Sequence, residues 1–111
     1  MPIIAVNIIP AKNMENTQTT QYVSNGVTTI IDKFTATNFS SGMVNVSVNL
    51  AAVGAATGNS NLIVKTRTLQ PGETYTFPEI VGHILPSGGF VSTLASAAAA
   101  VNLRASGREI S

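Results

Sequence analysis

Few residues in this chain could do chemistry, and their surroundings argue against a reacting centre. His83 is the only histidine among 111 residues. With Asp32 and the many serines it formally permits a Ser-His-Asp triad, in which imidazole takes the hydroxyl proton and the carboxylate orients the ring. No Gly-x-Ser-x-Gly elbow or similar context positions such a serine. Glu73 and Glu79 could be taken for the carboxylate pair of a glycoside hydrolase. The neighbouring turn signals favour solvated charges at a turn and at a helix start instead. Gly88-Gly89 and the stretch from Gly54 to Gly58 lead into neither Lys-Ser nor Lys-Thr and lack dinucleotide-binding spacing. They suit turns that need positive φ. There is no cysteine, so neither a disulfide nor a thiolate metal site is expected. The expected catalytic, cofactor-binding and metal-binding sets are empty.

Charge is scarce: six Lys and Arg against five Asp and Glu, only 10% of the chain, where about a quarter is usual for a soluble domain. The basic residues are isolated from Lys12 to Arg108 and offer no stripe for tracking phosphates, so no direct nucleic-acid partner is expected. The aromatic residues Tyr22, Phe34, Phe39, Tyr75, Phe77 and Phe90 lack the positive charge that would accompany a base-stacking platform, and core packing is expected of them. Two glycosylation patterns, at Asn38 and Asn45, are read as chance. With so little charge, the exposed surface must be wetted by Thr, Ser, Asn and Gln, or covered by other protein subunits.

The elements that must carry this surface are strands. Val44, Val46, Val48 and Leu50 alternate with Asn45, Ser47 and Asn49, the period of two that puts one face in a core and the other in water. Runs rich in β-branched residues span Thr17 to Val23, Val27 to Asn38, Leu62 to Thr68, Thr74 to Phe77, Phe90 to Leu94 and Val101 to Ala105, giving seven or eight strands. Asn25-Gly26 predicts a type I′ hairpin between the first two runs, and Ser40-Ser41-Gly42 a second hairpin. Pro71-Gly72 predicts a type II turn. The segment from Pro78 to Leu85 is expected to make one or two helical turns, and Ala95 to Ala100 a close-packed bend or small-residue strand. Gly54 to Ser60 reads as a flexible surface loop. Together these predict an all-β domain, a jelly roll or β-sandwich, over residues 15–111.

Residues 1–14 are expected to form an extended arm. The start is apolar, but it lacks a leading positive charge and is broken by Asn7 and Pro10, unlike a secretory signal. No run of about 18 apolar residues predicts a membrane span. Ile3, Ile4, Val6, Ile8 and Ile9 suit two roles: an edge strand of their own sheet, or a strand laid across a neighbouring subunit.

From Leu69 to Ser111 the order is a Pro71-Gly72-Glu73 turn, a strand, a short piece from Pro78 to Leu85, a Gly88-Gly89 turn, an Ala-Ser run and a closing strand near Ala105-Ser106-Gly107. This resembles small structural proteins of tailed bacteriophages. The length and the whole chain further resemble the capsid decoration (cement or staple) proteins of epsilon-15-like phages. The resemblance implies a jelly-roll or sandwich subunit with no enzymatic activity, made in the host cytoplasm and bound on the outer surface of the virion. Its implied partners are the major capsid protein and other copies of itself, meeting at a two-fold axis. On that reading the arm residues Ile3, Ile4, Val6, Ile8 and Ile9 and the loop residues Thr57 and Asn59 are the expected shell contacts. The alternative is a tail-associated or carbohydrate-binding virion module, which predicts a shallow site built from aromatic and polar side chains.

Overall fold

The computed structural model describes residues 2–111. The strands are β1 (Ile3–Asn13), β2 (Thr19–Val23), β3 (Thr28–Asn38), β4 (Val44–Ala51), β5 (Leu62–Leu69), β6 (Thr74–Tyr75), β7 (Ile84–Leu85), β8 (Phe90–Ala95) and β9 (Val101–Ile110). The first sheet has the order β1-β9-β3-β6, with β7 also on β3, and the second the order β2-β8-β4-β5. Every pairing is antiparallel.

One long hairpin underlies this order. Ile3 pairs with Ile110, Thr19 with Thr93, Ala36 with Tyr75 and Asn49 with Leu62. As one residue number rises its partner's falls by nearly the same step, which puts the hairpin tip in the 52–61 loop. Rolling the hairpin lays β9 on β3 and β8 on β4. The product is a jelly-roll sandwich, in which the chain changes sheet at every connection except β4 to β5 and β6 to β7. The antiparallel directions put both chain ends and the connections β2–β3, β4–β5 and β7–β8 at one end, with the other four sheet-to-sheet connections at the opposite end.

The core lies between the sheets because alternate residues of each strand point inward. Ile31, Phe34 and Ala36 of β3, Val46 and Val48 of β4, Val91 of β8, and Val101, Leu103 and Ala105 of β9 are all buried. Phe77 meets Phe34 edge-on with ring centroids 5.1 Å apart. Gly107 fits a close backbone approach opposite the bulge at Asp32: a Cβ there would stand 2.2 Å from the Ile30 carbonyl oxygen.

Several sequence expectations need correcting. Of the two roles open to the apolar start, the structure shows the edge strand of its own sheet: residues 3–13 form β1, paired with β9, with Ile8 and Ile9 in the core. The Asn25-Gly26 and Ser40–Gly42 turns close no hairpins, because each joins strands of different sheets. Only Gly26 of the first has positive φ, at 72°, so it is not a type I′ turn. Pro71-Gly72 turns as expected, with Gly72 at φ 78° and the Glu73 amide donating to the Gln70 carbonyl at 3.0 Å. No helix forms from Pro78 to Leu85. Phe77 at φ 43° and Gly82 at φ 91° break the helical path, and Ile84-Leu85 joins the first sheet as β7. Ala95 ends β8, and residues 96–100 make the expected bend, with Ala99 at φ 52°.

Candidate functional site

The residues that could do chemistry are not joined by side-chain hydrogen bonds into a reacting set, and the carboxylates among them are engaged locally. Asp32 accepts both Arg108 hydrogen bonds, Nε to Oδ2 and Nη2 to Oδ1, each at 3.0 Å, and this pairing holds the Arg108 guanidinium above its ordinary pKa. His83 sits on an exposed turn, and its backbone carbonyl accepts from the Ile31 amide at 3.1 Å. No serine, His83 and Asp32 come together as a triad. Glu73 caps its own turn by accepting from the Gln70 amide at 2.8 Å. Glu79 accepts from the Tyr75 hydroxyl, which lowers the Glu79 pKa and raises that of the phenol. Among the described residues no three His, Asp or Glu side chains are grouped to hold a metal ion.

A polar plug closes the sandwich beside the chain ends. The Tyr22 hydroxyl, from the second sheet, donates to Glu109 of the first and lies 2.7 Å from Thr29 Oγ1. Ser24 Oγ continues the chain at 2.8 Å from Thr29 Oγ1 and donates to the Val27 carbonyl. Burial, followed by the Glu109 hydrogen bond, pushes the Tyr22 phenol above its ordinary 10.0. At the opposite end Asn38 is buried and fully used: its Nδ2 donates to the Gly42 and Leu69 carbonyls, and its Oδ1 accepts from Ser40. The Asn38 amide is therefore enclosed in the fold, in keeping with reading its glycosylation pattern as chance. The loop it braces carries Phe39 and Met43 exposed.

The outer face of the second sheet is knitted to itself around β4, while Val23 and Lys65 on the same face stay exposed. Asn49 points outward, yet it is 3% exposed because the hairpin-tip loop folds back over it. Its Nδ2 donates to the Gly58 carbonyl at 3.1 Å and to Asn61 Oδ1 at 2.7 Å. Gln18 Nε2 bridges Asn49 Oδ1 and Ser92 Oγ. Asn45 accepts from Thr68, and Ser47 Oγ accepts from the Thr66 amide. The depressions that remain mix amides and hydroxyls such as Asn16, Asn45, Ser47 and Thr66 with Leu62, Leu94 and Lys65, and contain no aromatic ring.

The outer face of the first sheet is open and divided. Toward the chain ends, register places Ile3 opposite Ile110 and Ile30 opposite Ile84. Ile3 and Ile84 are about 60% exposed, at 61% and 60%. Ile30 and Ile110 are half-buried, and the Arg108–Asp32 pair sits among these four isoleucines. Further along the same face, Lys33, Thr35 and Thr37 of β3 stand opposite Ser106, Arg104 and Asn102 of β9.

The structure separates the contact residues expected from sequence. Ile3 and Ile4 are exposed, Val6 is half-buried, and Ile8 and Ile9 face the core, where no neighbour can reach them. Thr57 is half-buried and Asn59 exposed, on a loop pinned to its own sheet through Asn49 and Asn61. Ile30, Ile84 and Ile110 were not singled out by sequence. The outward position of Ile84 depends on β7, where a helical piece was expected.

The chain matches no family model, no curated protein and no solved structure.

Proposed function

We propose that this protein is a capsid decoration subunit: it binds the outside of an icosahedral phage head and staples neighbouring major capsid subunits, stabilising the DNA-filled shell. The observation that carries the reading is the outer face of the first sheet, where Ile3 and Ile84 stand 61% and 60% exposed beside the unpaired cations Lys33 and Arg104. Neighbouring exposed isoleucines on the first sheet fit burial against a partner, and the jelly roll is a frequent architecture of virion proteins. The likeness of the second half of the chain to small phage structural proteins supports the same reading.

The physical logic is linkage. A subunit that binds only the assembled shell stabilises it by about 2.7 kcal/mol per site at a free concentration 100 times its dissociation constant. A subunit touching two capsid proteins makes the second contact effectively intramolecular, which resists their separation. Copies meeting at a two-fold axis would share one self-complementary patch. The tail-module alternative calls for an aromatic and polar site, and the depressions of the second sheet contain no aromatic ring.

The test is to compare heads assembled with and without this chain for resistance to heat and osmotic shock. Heads lacking it are expected to rupture earlier. Equal resistance overturns the proposal.

A further inference from the structure

With 11 charged residues in the chain, nearly every charge can be followed to its partner. All five carboxylates are engaged. Glu15 takes Lys12 at 2.8 Å, Asp32 takes Arg108, Glu73 its turn amide, Glu79 the Tyr75 hydroxyl and Glu109 the Tyr22 hydroxyl. Arg67 lies over the Tyr75 ring, 3.9 Å from its centroid. Three cations, Lys33, Lys65 and Arg104, pair with neither a carboxylate nor an aromatic ring among the described residues. Two of the three, Lys33 and Arg104, line one depression of about 390 Å³ on the open face of the first sheet.

The strand register explains why they converge. Lys33 faces Ser106 and Thr35 faces Arg104, so the two cations are diagonal neighbours across an antiparallel pair, about 7–8 Å apart at the backbone and within reach of one anionic group. The bulge between Ile31 and Lys33 brings both Asp32 and Lys33 to the exposed side. Asp32, the nearest carboxylate in sequence, is drawn off by both arms of Arg108 and makes no ion pair with Lys33. Arg104 spends one donor on Asn7 Oδ1 at 3.1 Å, leaving the rest of its guanidinium free. Thr35, Thr37, Asn102 and Ser106 surround the pair with hydroxyl and amide groups. Both strands are inner strands of the sheet, so the backbone that carries the two cations is held from both sides.

We propose that Lys33 and Arg104 form an anion-binding site for a carboxylate side chain on an acidic segment of a protein partner. Charge complementarity sets the ligand's sign, and a guanidinium beside an ammonium suits a carboxylate. The lining has no aromatic ring on which a sugar could stack. The inference rests on the geometry of this chain alone and is independent of the capsid reading.

The test follows backbone amide shifts of the intact protein by NMR on titration with hexaglutamate, with polygalacturonate and inorganic phosphate as separate arms. Hexaglutamate should move the amides of Lys33, Thr35, Arg104 and Ser106, and the binding should fade as salt is added. Arg104→Gln should weaken it about tenfold, whereas Lys65→Gln, on the other sheet, should leave it unchanged. Unmoved amides around Lys33, or equal binding by Arg104→Gln with its fold intact, overturn the site. Tighter binding of polygalacturonate or phosphate than of the peptide overturns the protein assignment.

Discussion

The two outer faces of the sandwich are made from the same kind of strand, yet around Asn49 the second is closed by its own hydrogen bonds, whereas the first leaves apolar and cationic side chains unpartnered. On the second sheet Asn49 and Ser92 are tied together by Gln18, and the hairpin-tip loop covers Asn49 through Gly58 and Asn61. On the first sheet Ile3 and Ile84 stand in solvent, and Lys33 and Arg104 lack a carboxylate. The difference teaches that a polar residue on an outward position is not automatically surface. Where its donors and acceptors are consumed internally, it acts as structure and costs stability when removed. Where they are left over, it is available to a partner.

Deleting residues 2–10 should have the largest effect, because it removes the edge of the open face together with two core side chains. Ile8 and Ile9 are 4% and 1% exposed, and losing each buried isoleucine costs roughly 2–5 kcal/mol, against a total stability of about 5–15 kcal/mol for a domain. The truncated chain should fail to unfold cooperatively in a circular-dichroism melt. A sharp transition near that of the full chain would restore the detachable arm.

Asn49→Ala comes next and probes the closed face. It leaves Gln18 and Asn61 without their shared partner and should cost about 1–3 kcal/mol in urea unfolding. A neutral result would make the second face as free as the first.

Tyr22→Phe probes the plug that joins the two sheets. The folded-state pKa of Tyr22 lies above 10.0. Its hydroxyl therefore contributes stability that is fully present below pH 10.0 and is lost as pH rises through the raised value. The variant should lose about 1 kcal/mol at neutral pH, and its gap from the parent should shrink in strongly alkaline solution. A gap independent of pH would remove Tyr22 from the account.

The smallest effect belongs to the open face. Ile84→Ser should change stability by no more than about 0.5 kcal/mol while lowering occupancy on purified shells. A large loss of stability would mean that Ile84 supports the fold instead of facing a partner.

Much of the strand layout was legible in the sequence, because β-branched runs with a period of two are set by local side-chain direction. Val44, Val46 and Val48 point into the core as that period requires. Sheet membership was not legible: Asn25-Gly26 looks the same whether it closes a hairpin or turns a corner between sheets, and only the rolled hairpin decides. For the same reason Asn49 read as wet, since the loop that covers it returns from residues 56 to 61. The candidate site was half legible. Ile3 and Ile4 remain exposed, whereas Ile8 and Ile9 are drawn inside across two register shifts in the β1–β9 ladder. Ile84 and Lys33 gained their significance from strand pairing and a bulge that no local pattern announces.

The most direct test of the account is an image of decorated heads at a resolution that orients the subunit. The account predicts that the face bearing Ile3, Ile30, Ile84 and Ile110 lies against the shell, with the Asn49 face turned to solvent. Contact through the Asn49 face, or heads that carry no copies of this chain, would contradict it.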